Sequence, residues 1–187
     1  MIATFLCGAG CGDTGSWGED GSFSWQINAL SDLGVSKVAN IFNYSLILAG
    51  ILNIVFGIGL LKAYGGTKIS YLSIILLIIG GLFLSLIGLS TEAYGSLHFF
   101  VSAGFFIFAP LSIILIGISF ISSNKIRSGY FSITTGALAL IMISSYFTGI
   151  YSTLGYGLSV PEYISSGIIS IWISWMGLNL FFNKPKK

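Results

Sequence analysis

The only histidine of the chain is followed by a serine at helical spacing. His98 and Ser102 are four residues apart, so in an α-helix they share one face and the imidazole could take the hydroxyl proton. A carboxylate on the other ring nitrogen, from Asp32 or Glu92, would orient the imidazole for attack on a lipid ester or amide. These four residues predict, as one hypothesis, the catalytic site of a lipid-directed hydrolase or transferase.

Three further polar residues are candidates for binding a ligand or partner: Asn28, Ser31 and Glu162. A structural interpretation competes with both functional ones. Ser31 and Asp32 could cap or brace the segment that enters the first long helix. Glu92 and Glu162 could be ordinary loop charges, and His98 could lie where a helix enters the membrane. Bracing, binding and catalysis thus stay open for the same residues.

The composition assigns the chain to the membrane. Of 187 residues, 55% are hydrophobic and 7% are charged, and the mean hydropathy is +0.93. Soluble domains carry about 25% charged residues because water must solvate their surface. The net charge is only +2, and the one basic run is the tail at 184–187, which is typical of a membrane-surface anchor. Nucleic acid is therefore excluded as a main partner.

Metal, cofactor and nucleotide sites are not predicted. Cys7 and Cys11 do not have the spacing of a metal knuckle, and no second pair completes a tetrahedron. A disulfide or two idle thiols are the interpretations of that pair. One histidine cannot supply bis-histidine haem ligation, and no glycine-rich loop matches a nucleotide-binding pattern.

Five continuous apolar stretches are each long enough to cross a bilayer, which takes roughly 20 residues. They predict a single all-α domain over residues 1–187, a polytopic transmembrane bundle. Residues 1–12 are too short to span, so we expect a segment at the outer surface, with the remnant of a sixth helix as the alternative. The five predicted spans are 38–61, 69–89, 99–121, 130–150 and 163–182.

The charges alternate between the two ends of these spans. Seven of the eight basic residues fall in the first loop, the third loop and the tail, and all six acidic residues fall on the opposite side. Lys37 alone breaks the pattern. The positive-inside rule predicts a multi-pass protein of the cell membrane with a cytoplasmic C-terminus and residues 1–36 outside. No charge lies inside a span, which disfavours an ion-coupled transporter.

Small residues at three- or four-residue spacing predict where the helices pack, because lipid offers no hydrophobic drive for association. Each of three spans has such a row. The rows are Ala49, Asn53 and Gly57 in the first span, Gly81, Ser85 and Gly88 in the second, and Ser166, Ser170 and Ser174 in the fifth.

The segment Ser24-Trp25-Gln26-Ile27-Asn28-Ala29-Leu30-Ser31-Asp32-Leu33-Gly34 carries a resemblance to a known family. Together with 39–44, Gly50, Gly88 with Glu92, 98–102 and 105–106, it resembles an uncharacterised prokaryotic membrane family, domain of unknown function 998. At a distance it is similar to the Frag1/DRAM/Sfk1 membrane proteins. The resemblance covers about residues 23–180 and implies a fold and a membrane location, without an activity. Such families usually begin with a full transmembrane helix, which would make six.

Because Asp32 lies inside the most specific motif, we expect its carboxylate to be partly buried and hydrogen-bonded. The leading functional hypothesis is a non-enzymatic membrane component, either a subunit that contacts other membrane proteins or a factor that interacts with membrane lipids. The outer-leaflet hydrolase or transferase is the alternative.

Overall fold

A computed structural model describes residues 2–12, 17, 18 and 20–182. The described chain is all-α, and five of its helices are long and apolar enough to cross a membrane. The basic tail at 184–187 and the acidic residues Asp13 and Glu19 lie outside the described residues. The five long helices are α2 (Ala39–Tyr64), α3 (Lys68–Leu89), α4 (Ser96–Ser122), α5 (Ile126–Ser145) and α7 (Ser159–Phe182).

Short helices connect or precede the long ones. They are α1 (Ile2–Leu6), α6 (Ile150–Thr153) and the 3₁₀ helices Leu30–Val35, Glu92–Tyr94 and Tyr146–Thr148. Three long helices begin three or four residues before the predicted spans, because the helical backbone continues beyond the apolar run. As a result, His98 and Glu162 lie in the first turns of α4 and α7.

The bundle is built by successive antiparallel pairs, α2 with α3, α3 with α4, α4 with α5 and α5 with α7, and α4 also touches α7. The core lies along α4, where Ala109 and Ile113 are fully buried with Leu77 of α3 and Trp172 of α7. Short connections place Glu92 and the start of α7 at one end of the bundle, here called the acidic end. Lys62, Lys68, Lys125 and Arg127 lie at or beside the helix termini of the other end.

The predicted small-residue rows of α2 and α3 face each other. Gly50 lies so close to α3 that an added Cβ would be 2.5 Å from the Gly81 carbonyl oxygen. Asn53 and Gly57 are buried in the same interface, but Ala49 is exposed and Gly50 takes its place. Gly81, Ser85 and Gly88 are all buried. The prediction is confirmed for this pair of helices apart from the one-residue shift at Ala49.

The predicted packing row of α7 is wrong. Ser170 and Ser174 are exposed, and the Ser170 hydroxyl donates only to the Ser166 carbonyl of its own helix, at 2.8 Å. The buried face lies elsewhere on the helix and includes Ser165, Ile169, Trp172 and Met176. Trp172 decides the rotation of α7, because its Nε1–H donates to the buried Ser132 hydroxyl of α5 at 2.8 Å and its large ring is fully buried.

The N-terminal segment folds over the acidic end. Helix α1 has five residues, far fewer than a span needs. A disulfide joins Cys7 to Cys11, and both side chains pack with Trp17 and Leu33 in a small second core. Backbone hydrogen bonds from Gly12 N to Gly21 O and from Lys37 N to Cys11 O tie the segment to the residues that lead into α2.

Candidate functional site

The 3₁₀ helix Leu30–Val35 is fixed at the acidic end by its own first residues. Asn28 is buried; its Oδ1 accepts the Ser24 N–H at 2.9 Å and its Nδ2 donates to Asp32 Oδ2 at 2.7 Å. The same Asp32 oxygen accepts the Ala29 N–H at 3.1 Å. The expectation for Asp32 is confirmed, since its side chain is partly buried and hydrogen-bonded. A carboxylate here satisfies backbone donors that the start of a helix leaves free.

Two glutamates from distant parts of the chain hold the same 3₁₀ helix. The Ser31 hydroxyl donates to Glu92 Oε1 at 2.5 Å, and the Leu30 N–H donates to Glu162 Oε2 at 2.8 Å. Glu162 is only 7% exposed. The structure therefore brings together Asn28, Ser31, Asp32, Glu92 and Glu162, which the sequence separates by up to 134 residues.

The electrostatics of this group favour a proton or a cation. Burial, together with the adjacent Asp32 carboxyl, raises the pKa of Glu92 to about 7, against the opposing effect of the Ser31 hydroxyl. Its ordinary pKa is 4.5. The donors that bond to the three carboxyls are the Asn28 amide, the Ser31 hydroxyl and backbone N–H groups. Among the described residues, Lys37 is the basic side chain that lines a cavity with Asp32 and Glu92, and none of the hydrogen bonds named above comes from it.

His98 and Ser102 form a separate pair on α4. His98 Nδ1 lies 2.6 Å from the Ser90 carbonyl oxygen, and His98 Nε2 lies 3.3 Å from the Ser102 Oγ. A carbonyl can only accept, so Nδ1 carries a proton, and a neutral ring then leaves Nε2 as the acceptor for the Ser102 hydroxyl. The orienting group is therefore a backbone carbonyl, in the position where the catalytic hypothesis has Asp32 or Glu92.

A cavity of about 300 Å³ connects the two groups. We call it the acidic cavity. Its polar lining residues come from four separate segments, and they are Ser31, Glu92, His98, Ser102 and Glu162. A separate and more polar cavity, of about 730 Å³, is lined by Glu92, Asp32, Lys37 and the N-terminal segment.

One apolar cleft leads from the acidic cavity between α2 and α7. This α2–α7 cleft has a volume of about 280 Å³, and Leu46, Leu84 and Phe106 line its walls. Below Glu162 and Tyr163, its α7 side consists of Ser166, Gly167 and Ser170. A Cβ added at Gly167 would meet nothing within 4 Å, so the small residues of α7 leave space here where the sequence predicts a contact.

A second apolar cleft leads from the acidic cavity between α4 and α5. This α4–α5 cleft has a volume of about 340 Å³ and is lined by side chains that include Ala103, Ile107, Leu140 and Ile143. The two clefts reach similar depths. From Glu162 to Ser170 on α7, and from Phe99 to Ile107 on α4, each covers eight residues, or about 12 Å of helix.

Glu162 and Ser102 line all three spaces, the acidic cavity and both clefts. Sequence reasoning found these two residues but not the clefts, nor the backbone groups of Leu30 and Ser90 that hold the site. The serine row of α7 was the available signal for the α2–α7 cleft. Among the residues that the structure describes, no group of three or more His, Cys, Asp or Glu side chains is placed to hold a metal ion.

Comparison with known proteins gives a family without an assigned activity. The model of the family described as "Protein of unknown function (DUF998)" matches residues 13–179. No curated protein and no solved structure matches the chain, so the distant resemblance to Frag1/DRAM/Sfk1 proteins stays a prediction. Because the family model covers most of the sequence, and five helices are apolar enough to span, this chain is a multi-pass membrane protein of the DUF998 family.

Proposed function

We propose that this protein is a non-enzymatic factor that binds a membrane lipid at the acidic end of its bundle. The observation that carries the proposal is that Glu162 and Ser102 line the acidic cavity and two apolar clefts at once. Ligand sites combine mostly apolar walls with a few convergent polar groups. A lipid has the matching division, with its head group in the acidic cavity and hydrocarbon in a cleft.

The buried glutamate supports this assignment. A buried carboxyl is costly unless hydrogen bonds or an opposite charge compensate it. Glu162 Oε2 accepts from the Leu30 N–H, and the carboxyl lines the acidic cavity and both clefts. A head-group donor would bond to this carboxyl at the point where the acidic cavity and the clefts meet.

The test fills a cleft without altering the fold. Gly167→Leu puts a side chain into the α2–α7 cleft, where nothing lies within 4 Å of the new Cβ. Gly177→Leu is the matched control, since that glycine is on the same helix, is equally unobstructed and does not line the cleft. Purified wild type and Gly177→Leu should retain lipid in native mass spectrometry, and Gly167→Leu should retain about tenfold less. Equal retention by all three proteins, or no retained lipid in the wild type, would contradict the proposal.

A second candidate function is favoured by the geometry of His98. With Nδ1 fixed on the Ser90 carbonyl and Nε2 at 3.3 Å from the Ser102 Oγ, the ring could take the hydroxyl proton while Oγ attacks a lipid ester. The acyl group would pass to Ser102 and the alcohol would leave with the proton. An alkyl fluorophosphonate should then label wild type and not Ser102→Ala. If the wild-type protein in lipid nanodiscs is not labelled, the hydrolase hypothesis is wrong and lipid binding is the only proposed function that stands.

We further propose that the acidic end faces the outside of the cell membrane and the C-terminus the cytoplasm. The segregated charges support this orientation, as does the Cys7–Cys11 disulfide, since such bonds persist in oxidising compartments. Single cysteines replacing exposed Tyr94 and Lys125 should react with an impermeant reagent from opposite sides. Labelling of both from one side would refute the orientation. Other membrane proteins stay proposed partners of the exposed helix faces.

A further inference from the structure

We infer that the lipid is a two-chain lipid whose head group carries a primary amine. This inference rests on the proposed function and adds the class of ligand. The first reason is the fork in the binding space. Ser102, Phe106 and Glu162 each line both the α2–α7 cleft and the α4–α5 cleft, so the two clefts diverge from a common point. From the shared residues the α2–α7 cleft extends along α7 from Glu162 to Ser170, about 12 Å, and the α4–α5 cleft extends along α4 from Ser102 to Ile107, about 8 Å.

A fork of this kind suits two hydrocarbon chains joined at one head group. The clefts have similar volumes, about 280 Å³ and 340 Å³, and both are lined mostly by apolar side chains, with Ser166 and Ser170 as hydroxyl groups in the α2–α7 cleft. A single chain would fill one cleft and leave the other empty, with its lining side chains forgoing dispersion contacts. A lipid with two chains would cover the apolar linings of both clefts at once.

The second reason is charge complementarity at the head group. Glu92 and Glu162 line the acidic cavity, and Asp32 lies against Glu92. No lysine or arginine is among the described residues that line the acidic cavity or either cleft. The ring nitrogens of His98 are already directed to Ser90 and Ser102.

An ammonium group fits these acceptors and an uncompensated anion does not. It has three donors and a positive charge, and charge-assisted hydrogen bonds to a carboxylate are about twice as strong as neutral ones. Glu162 Oε1 and the Glu92 carboxyl are the acceptors it would find. A head group with only a phosphate and hydroxyls would bring a negative charge toward carboxyls in a partly desolvated cavity, which is unfavourable.

The head-group test compares lipids with identical chains. Dioleoyl phosphatidylethanolamine and dioleoyl phosphatidylglycerol are titrated into the delipidated protein, and each Kd is measured by native mass spectrometry. We expect phosphatidylethanolamine to bind about tenfold more tightly to wild type, and this preference to fall to about twofold in Glu92→Gln and in Glu162→Gln. Each glutamine keeps an oxygen that can accept from Ser31 or from the Leu30 N–H.

The matched control for charge is Asp20→Asn, which removes one negative charge from the same end of the protein. Asp20 accepts the Ser22 N–H and does not line the acidic cavity, so its variant should keep the wild-type preference. Equal affinity of wild type for the two lipids would overturn the amine head group while leaving lipid binding intact. Failure of both lipids to bind would overturn the proposed function itself.

The chain number is tested by closing one cleft at a time. Gly167→Leu fills the α2–α7 cleft and Ala103→Leu fills the α4–α5 cleft. Dioleoyl phosphatidylethanolamine should bind more weakly to both variants, and a one-chain lysophosphatidylethanolamine should lose affinity in only one of them. A dioleoyl lipid that is weakened by only one of the two substitutions would show that a single cleft holds the ligand.

Discussion

Rows of small residues occur on both the α2–α3 interface and the outer face of α7, but they serve opposite purposes. Between α2 and α3, Gly50 lies so close to α3 that a methyl group does not fit there, and a methyl group at Gly81 would lie only 3.0 Å from the Gly50 carbonyl oxygen. On α7, Gly167 faces open space. The reason lies in the opposite surface, because α3 presents its own small residues to α2. The outer face of α7 meets no such row. The opposite, buried face of α7 carries the large residue Trp172, which packs against α5.

This comparison shows that a row of small residues predicts a helix face with little side-chain volume, and does not by itself predict that another helix packs on that face. Low bulk allows helices to approach where a complementary surface is available. Where none is available, it leaves a cleft, as Ser166, Gly167 and Ser170 do beside the acidic cavity. The following predictions test the difference between the two regions, from the largest expected effect to the smallest.

The largest effect should come from Gly50→Leu in the α2–α3 interface. A Cβ there would be 2.2 Å from the Ser85 Oγ and 2.5 Å from Gly81 O, so the two helices would have to move apart. Overpacking of one site typically costs about 1–3 kcal/mol, and we expect at least this loss of stability. Gly59→Leu is the control on the same helix, since nothing lies within 4 Å of its added Cβ. Thermal unfolding in detergent should show a large loss for Gly50→Leu alone. A small loss of thermal stability in Gly50→Leu would mean that α2 and α3 pack less closely than the structure shows.

The acidic end should make stability depend on pH. The pKa of Glu92 rises from 4.5 to about 7 on folding, so the folded state binds the proton more tightly than the unfolded state does. This stabilisation is complete below about pH 4.5 and is lost as pH rises through about 7.

The measurement is the unfolding temperature of wild type and Glu92→Gln between about pH 5 and pH 8. Glutamine keeps an acceptor for Ser31 and has no proton to release. The variant should therefore gain stability relative to wild type as the pH rises. Asp32, Glu162, His98 and Lys37 also face this region. Because Glu92 interacts electrostatically with Asp32 and Glu162, the difference reports Glu92 together with its effect on these two carboxyls. A difference that does not change with pH would contradict the prediction.

An intermediate effect is expected from Trp172→Phe on the buried face of α7. The substitution removes the hydrogen bond from Nε1 to the Ser132 Oγ, which is worth about 0.5–1.5 kcal/mol, and leaves part of the ring volume empty. Trp175→Phe is the comparison, because Trp175 is on the same helix and only partly buried. Similar losses for both variants would mean that α7 is not fixed by Trp172.

The smallest effect on stability should come from Ser170→Leu. Packing of the serine row would predict a loss of about 1–3 kcal/mol from overpacking. Since Ser170 is exposed and lines the α2–α7 cleft, we expect an almost unchanged unfolding temperature with reduced lipid retention. A clear loss of stability in delipidated protein would show that another helix packs on this face.

The sequence by itself determined the five helices, their approximate bounds and the separation of acidic from basic ends. These features are local: an uncharged run of about 20 apolar residues can be accommodated in a bilayer only as a helix with its own hydrogen bonds satisfied. The loops between such runs are short, so successive helices are antiparallel neighbours. The burial of Asp32 also followed from its local motif, in which the carboxylate caps the turn that begins at Ala29.

The tertiary structure alone decided which residues meet. Glu162 accepts a hydrogen bond from the Leu30 N–H, although the two residues are 132 positions apart in the sequence. The periodic pattern of apolar residues cannot predict a contact of this kind. His98 is oriented by a backbone carbonyl, a group that every residue carries and no sequence motif can single out. The rotation of α7, set by Trp172 against Ser132, turned its serine row outward and opened the α2–α7 cleft. Packing between non-adjacent helices depends on the shapes of both helix surfaces at once, whereas the sequence of one helix determines only the surface of that helix.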